Sequence, residues 1–189
     1  MRRTRTKADL KATAYHEAGH AVIGRVLGVS DGRVTIRPDY NTGSAGREFG
    51  PTPSEICAKY PKRDHNAVIR AWIISVMAGA ETEAALLGRV ALGDGGDRKQ
   101  IGLMMEENIS DADWDRVEAW LRRMTRTLIW QHEPLIERVA KALLERTSLS
   151  GKMVDKLVGF GPESRLKQLE SFDADPLLKE AWSDGRDFC

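Results

Sequence analysis

The sequence predicts a mainly α chain with a small β element, and three observations carry that expectation. Apolar residues recur at intervals of three and four through most of the chain, the period of helices with one buried face. Strict alternation, the period of a half-buried strand, is confined to Arg33-Val34-Thr35-Ile36-Arg37-Pro38. Glycine or proline punctuates the joints between these stretches, at Gly28, Pro38, Gly88, Gly151 and Gly159.

Taken in order, a first helix is expected from Lys7 to Leu27, with Tyr15, Ala18, Val22, Ile23 and Val26 at helical intervals and Gly28 to end it. The basic leader before it, residues 1–8 with Arg2, Arg3, Arg5 and Lys7, reads as solvated. Val34 and Ile36 then form a candidate edge strand, able either to pair with an extended peptide or simply to cover the core. Residues 39–53, with Gly43, Gly46, Gly50, Pro51 and Pro53, read as a loop; no Gly-Lys-Ser/Thr ending follows, so a phosphate loop is excluded. A second helix from Asp64 to Leu87 puts Val68, Trp72, Ile73, Val76, Met77 and Ala80 on its packing face and Glu81 and Glu83 near its end.

The turn Leu92-Gly93-Asp94-Gly95-Gly96-Asp97 leads into a helix through Ile101, Met104 and Met105, with Asp97 at its start. From Asp111 to Leu144, Trp114, Val117, Leu121, Met124 and Leu128 step by three and four, and Pro134 is expected to break or kink the helix, leaving another through Leu135, Val139 and Leu143. A short helix over residues 152–158 completes the body. Residues 9–160 are thus expected to form one domain, and 161–189, with Trp182 and Phe188, a charged tail.

The balance of 41% hydrophobic and 30% charged residues belongs to a globular protein and excludes wholesale disorder. A net charge of +1, from 29 basic and 28 acidic residues, gives the whole chain no bias towards nucleic acid. No apolar run reaches the roughly 18 residues of a membrane span, and the start lacks a signal-peptide core, so a cytoplasmic location is the expectation. Cys57 and Cys189 make no disulfide framework and read as free thiols.

The chemistry is carried by His16-Glu17-Ala18-Gly19-His20. On a helix, residues four apart lie only about 40° apart in projection, so both imidazoles can reach one ion. A catalytic zinc takes three protein ligands and leaves a position for water. Glu17, beside the first ligand, is placed to take a proton from that water and return it to a leaving amine. Gly19 costs about 1 kcal/mol against Ala in a helix interior, which points to a packing or access reason for it.

A third protein ligand is needed, and Glu81, Glu83, Asp94, Asp97, His65 and His132 are the candidates; spacing does not rank them. Asp97 brings a short carboxylate among glycines, which permits close approach to an ion, though an N-cap role would use the same residue. Glu83 is its main rival, because a helix-borne Glu is a common third ligand in zinc peptidases with the two-His motif.

The order Ala14-Tyr15-His16-Glu17-Ala18-Gly19-His20-Ala21, Val34-Thr35-Ile36-Arg37-Pro38, Ala78-Gly79-Ala80-Glu81-Thr82-Glu83, Gly93 to Asp97 and Ala140 to Leu149 resembles the peptidase domain of FtsH-type AAA proteases over residues 10–160. The resemblance implies a helical bundle with a small β element. It also implies Zn2+ held by His16, His20 and Asp97, Glu17 as catalytic base, and Glu83 as an acid supporting a ligand from behind. Leu135 to Leu149 would be the helical end of the domain. Two departures stand out: Ala80 and Glu81 replace part of the family's Gly-Arg-Ala-Ala-Glu pattern, and Gly93-Asp94-Gly95-Gly96 replaces its Thr-Gly-Ala type of turn, which keeps Asp94 beside Asp97 as a candidate. The leader leaves no room for the family's ATPase module, so unfolding driven by ATP in cis is not expected.

The function expected is a zinc endopeptidase acting on unfolded or flexible polypeptides. The alternatives are a non-catalytic zinc-binding adaptor and a peptidase subunit served by a separate ATPase in trans. Expected partners are the polypeptide substrate and either further copies of the chain or that ATPase, with no nucleic acid.

Overall fold

The computed structural model describes residues 5–38, 45–90 and 95–159. Among these the chain is mainly helical, with six helices and a three-stranded sheet. The helices are α1 (Lys7–Val26), α2 (Pro53–Lys59), α3 (His65–Leu87), α4 (Gly95–Asn108), α5 (Trp114–Arg146) and α6 (Gly151–Val158); the strands are β1 (Val34–Thr35), β2 (Arg47–Glu48) and β3 (Ser148–Leu149). The tail, Cys189 and Asp94 lie outside the described residues.

α1 starts where local chemistry tells it to. Thr6 caps it, accepting from the Asp9 amide while Asp9 accepts from the Thr6 amide, and Gly28 turns the chain away at φ 73°. α3 is built alike, with Asp64 as N-cap and Gly88 at φ 68° as C-cap. Ala14, Ala18 and Ala21 of α1 are fully buried, and the small residues let α1 and α3 cross closely. A Cβ on Gly19 would stand 2.5 Å from the Ala78 carbonyl oxygen and closer still to the Thr82 hydroxyl, so Gly19 is there for packing. α3 is central, touching α1, α2, α4 and α5. Its buried side is accordingly wider than one stripe: Ala71, Ile74, Ala78 and Gly79 are buried, whereas Trp72, Val76 and Ala80 of the expected face are only half-buried.

Two expectations about these elements are corrected. The strand at Val34–Thr35 is no edge: β1 lies in the middle of the order β2-β1-β3, antiparallel to both neighbours, with Val34 opposite Glu48 and Leu149 and Thr35 opposite Arg47 and Ser148. Both outer strands are two residues long, too short for alternation to reveal them. Pro134 does not break α5, which continues through it as one helix of 33 residues. Its apolar stripe continues on both sides of the proline, with Leu121 and Ile129 before it and Ile136, Val139 and Leu143 after it all fully buried. Docking both halves offsets the roughly 3 kcal/mol that an interior proline costs. α2 follows the expected loop, over residues for which the sequence carries no expectation; Thr52-Pro53-Ser54-Glu55 forms its capping box, with proline in the first turn.

α5 ends at Thr147, a non-glycine residue at φ 62°. That conformation costs about 1 kcal/mol or more. Three hydrogen bonds hold it there: its carbonyl accepts from the Ile36 amide at 2.9 Å and the Thr35 hydroxyl at 3.1 Å, and its hydroxyl accepts from Arg37 Nε at 3.0 Å. The same turn starts β3 and ties the sheet to the end of the bundle.

Arg25, with no exposed surface, does similar work at the other end of α1. It donates to Asp155 at 2.8 Å and to the Gly32 carbonyl at 2.9 Å, joining α6 to the loop before β1. Arg5, expected to be solvated, instead donates to the carbonyls of Ile36 at 2.9 Å and Ala45 at 3.2 Å and to the Thr13 hydroxyl, so it fastens the two ends of the β1–β2 connection to α1.

Candidate metal centre

His16 and His20 sit one turn apart on the face of α1 that packs on α3, with ring centres 4.7 Å apart. Each ring is oriented through Nδ1. His16 Nδ1 donates to Glu83 Oε1 at 2.8 Å, and His20 Nδ1 donates to the Ser75 carbonyl at 2.9 Å, both on α3. Because a carboxylate and a carbonyl only accept, these bonds fix the tautomer and leave both Nε2 atoms facing a common point. The third group there is Asp97 Oδ2 from the first turn of α4, 2.9 Å from His16 Nε2 and 3.3 Å from His20 Nε2.

Two nitrogen lone pairs do not face one carboxylate oxygen at such distances unless positive charge lies between them. In the metal-free chain protons supply it. Burial pulls His16 down, but the hydrogen bonds with Asp97 and Glu83 and the charges of Glu17 and Asp97 outweigh it and lift the imidazole to about 10. His20 is also raised: burial is the largest influence and opposes this, but the hydrogen bond and charge of Asp97, with the charge of Glu17, together outweigh it. Burial opposes ionisation of Asp97 too, yet the two imidazoles hold its carboxyl well below the usual range.

A divalent cation fits the same place. Tetrahedral zinc with ligands at about 2.0 Å requires ligand atoms about 3.3 Å apart, close to the 2.9 and 3.3 Å between Asp97 and the two imidazoles. His16, His20 and Asp97 are the one group of metal-ligating side chains that converge in this way among the described residues. Beside them Glu17 is 5% exposed, and its Oε2 atom is buried with no hydrogen-bond partner. An orphaned carboxylate oxygen at the rim of the cluster is what a site requires if a water is to be held there. Burial, only partly offset by His20 and His16, pushes the Glu17 carboxyl up to about 7.

The surroundings are shaped by glycines. A Cβ on Gly79 would stand 2.6 Å from His16 Nε2 and press on His20 Nε2 as well, so the α3 backbone can approach the ligand atoms only there. A Cβ on Gly46, at the start of β2, would meet Glu17 Oε1 at 2.6 Å. Sequence reasoning does not single out Gly79, Gly46 or Ser75. A glycine inside a helix is the available signal for Gly79, as it is for Gly19, whereas Ser75 contributes only a carbonyl and carries no signal.

The remaining ligand candidates are placed elsewhere. Glu83 meets His16 on the ring edge away from the cluster. Glu81 turns to α5, paired with Arg122 at 2.8 Å and Arg126 at 2.6 Å. His65 is the exposed first residue of α3, and His132 is half-buried on α5 with its pKa lowered by burial. Asp97 is the third residue of α4 and not its N-cap, since the helix begins at Gly95.

No family model matches the chain. Among curated proteins it is 31% identical over 185 residues to "ATP-dependent zinc metalloprotease FtsH 1" of Symbiobacterium thermophilum, a match covering 82% of this chain and 30% of that protein. It is 28% identical to "ATP-dependent zinc metalloprotease FtsH 4" of Sorangium cellulosum (80% of this chain, 29% of that protein) and 25% identical to "ATP-dependent zinc metalloprotease FtsH" of Veillonella parvula (81% and 29%). The chain thus spans under a third of the length of these relatives. With four-fifths of its length aligned and a mainly helical fold carrying a small sheet, the chain is a homologue of the FtsH-type zinc metalloproteases and corresponds to their peptidase domain.

Proposed function

We propose that the chain is a zinc-dependent endopeptidase that hydrolyses peptide bonds of unfolded or flexible polypeptides. Homology to zinc metalloproteases supports protease chemistry. The observation that carries the reading is the convergence of His16 Nε2, His20 Nε2 and Asp97 Oδ2 beside the orphaned oxygen of Glu17.

In this reading His16, His20 and Asp97 hold the ion. Glu83 and the Ser75 carbonyl orient the two imidazoles through Nδ1, which holds the ring proton on Nδ1 and leaves Nε2 for the ion when it is bound. Zinc, when bound, supplies a Lewis acid that polarises the scissile carbonyl and acidifies a water towards a pKa of about 7. Glu17 is placed to accept the proton of the attacking water and to deliver it to the leaving amine. Gly46 and Gly79 leave the room that side chains would fill. All these groups lie on this chain, so the hydrolytic step needs no nucleotide, and ATP independence in cis is part of the proposal.

The test is hydrolysis of an unfolded protein by the zinc-loaded chain beside Glu17→Gln and His16→Ala. Glu17→Gln is expected to keep its zinc and lose a factor of about 10² to 10⁴ in rate; His16→Ala is expected to lose both. Hydrolysis by Glu17→Gln at the parent rate would sink the mechanism.

A further inference from the structure

The inner face of the sheet, with Val34, Ile36 and Gly46, is buried against the body. Its outer face is different. Alternation along β1 and β2 sends Arg33, Thr35, Arg37, Arg47 and Phe49 outward, and the three arginines are exposed. Arg33 and Phe49 are joined across the strands by the Phe49 amide and the Arg33 carbonyl at 3.0 Å. Both the Arg33 and Arg47 guanidinium carbons lie over the Phe49 ring, 4.2 and 5.0 Å from its centre. Arg37 is held through Nε by the Thr147 hydroxyl at 3.0 Å. Among the described residues no carboxylate forms an ion pair with any of the three. Arg25, Arg116, Arg122 and Arg126, by contrast, are all matched with acids.

Three guanidinium groups held on one small face, with no counter-charge among the described residues, are a preorganised donor surface for carboxylates, because the guanidinium fork matches a carboxylate in a bidentate pair and stacking has already restricted two of them. The face lies across one strand from the chemistry: Gly46, which backs onto Glu17, and Arg47 are neighbours on opposite faces of β2. We infer that this arginine face binds an acidic segment of the polypeptide substrate and so biases cleavage towards chains carrying clustered Asp and Glu. The inference rests on the peptidase reading for the identity of the bound chain. An acidic peptide suits the face better than a nucleic acid, because the aromatic ring that would stack on a base is already covered by arginines.

The experiment is fluorescence anisotropy with the zinc-loaded Glu17→Gln chain, which separates binding from cleavage. The probes are a labelled glutamate-rich peptide, its glutamine counterpart and an oligoribonucleotide of equal charge. The glutamate-rich peptide is expected to bind about tenfold more tightly than the glutamine one, with the advantage lost at high salt. Combined Arg33→Gln, Arg37→Gln and Arg47→Gln should remove the advantage, and the three lysine replacements should restore much of it. Equal binding of the two peptides, an advantage that survives the glutamine variant, or tighter binding of the oligoribonucleotide would each overturn the inference. Failure of the peptidase reading shows separately, as undiminished hydrolysis by Glu17→Gln, and leaves these binding results standing.

Discussion

Replacing Gly79 with Ala is the sharpest perturbation of the metal centre that changes none of its ligands. The added methyl would stand 2.6 Å from both His16 Nε2 and His20 Cε1. Relaxed contact between such atoms needs about 3.5 Å, so the rings or α3 must retreat by about 0.9 Å. Coordination distances tolerate only about 0.2 Å, which means the strain falls directly on metal binding. Two stability effects compete: alanine in a helix interior gains about 1 kcal/mol over glycine, whereas overpacking a well-filled site costs about 1 to 3 kcal/mol. The net expectation for the metal-free chain is a loss of about 1 kcal/mol, or about 3 °C in Tm for a chain of this size. Zinc affinity, measured by competition with a chromophoric chelator, should fall at least about 100-fold, the upper range for disturbing the support of a ligand. Gly102→Ala is the control. It lies within α4, and its methyl would have no atom within 4 Å, so the propensity gain stands alone: Tm up by about 3 °C and zinc affinity unchanged. If Gly79→Ala raised Tm as Gly102→Ala does and bound zinc like the parent, the argument from close approach would be refuted.

Two further outcomes follow from the same geometry. Glu83→Ala removes the acceptor behind His16 and should weaken zinc binding about 10- to 100-fold, with Glu83→Gln in between because its amide oxygen still accepts; an Ala variant equal to the parent in the same chelator competition would show that the ring is held by something else. The stability of the chelated chain should fall as pH rises. Glu17, raised by burial from 4.5 to about 7, favours its neutral form in the folded chain, so stability is lost between those values. His16, where burial is outweighed by its carboxylate partners, is raised from 6.5 to about 10 and contributes stability that is complete below 6.5 and gone above about 10. A Tm in chelator that stays constant or climbs from about pH 5 to about pH 9 would contradict both signs.

The parts of this protein that are local in sequence can be read from it. Gly28 and Gly88 mark helix ends through the conformation each favours, and α1 and α3 lie within a residue of the bounds expected for them. The two histidines are legible because one helical turn brings them together whatever the rest of the chain does. Asp97 is one candidate among six by its residue type and is singled out only through the family resemblance, since 81 residues separate it from His16 and the packing of α4 on α3 joins them. The same holds for the two-residue strands, whose pairing is set by where the long helices leave their ends. Pro134 shows the opposite failure: a sound local rule is overridden by burial on both sides of it. Glu81, which departs from the family pattern, finds its reason only in Arg122 and Arg126 on another helix.

The elements that carry the site are unequally anchored. His16, His20, Glu83 and Gly79 ride on α1 and α3, which are fused along a crossing too tight to admit a Cβ at Gly19. Asp97 rides on α4, where Met105 alone is buried and the remaining surface faces outward to varying degrees. A cation at the cluster is therefore also a cross-link, joining a lightly docked helix to the rigid pair beneath it. If the proposed ion binds there, its removal leaves α4 tied to the pair at this site only through Asp97 and the imidazoles, with the histidine framework on α1 and α3 standing.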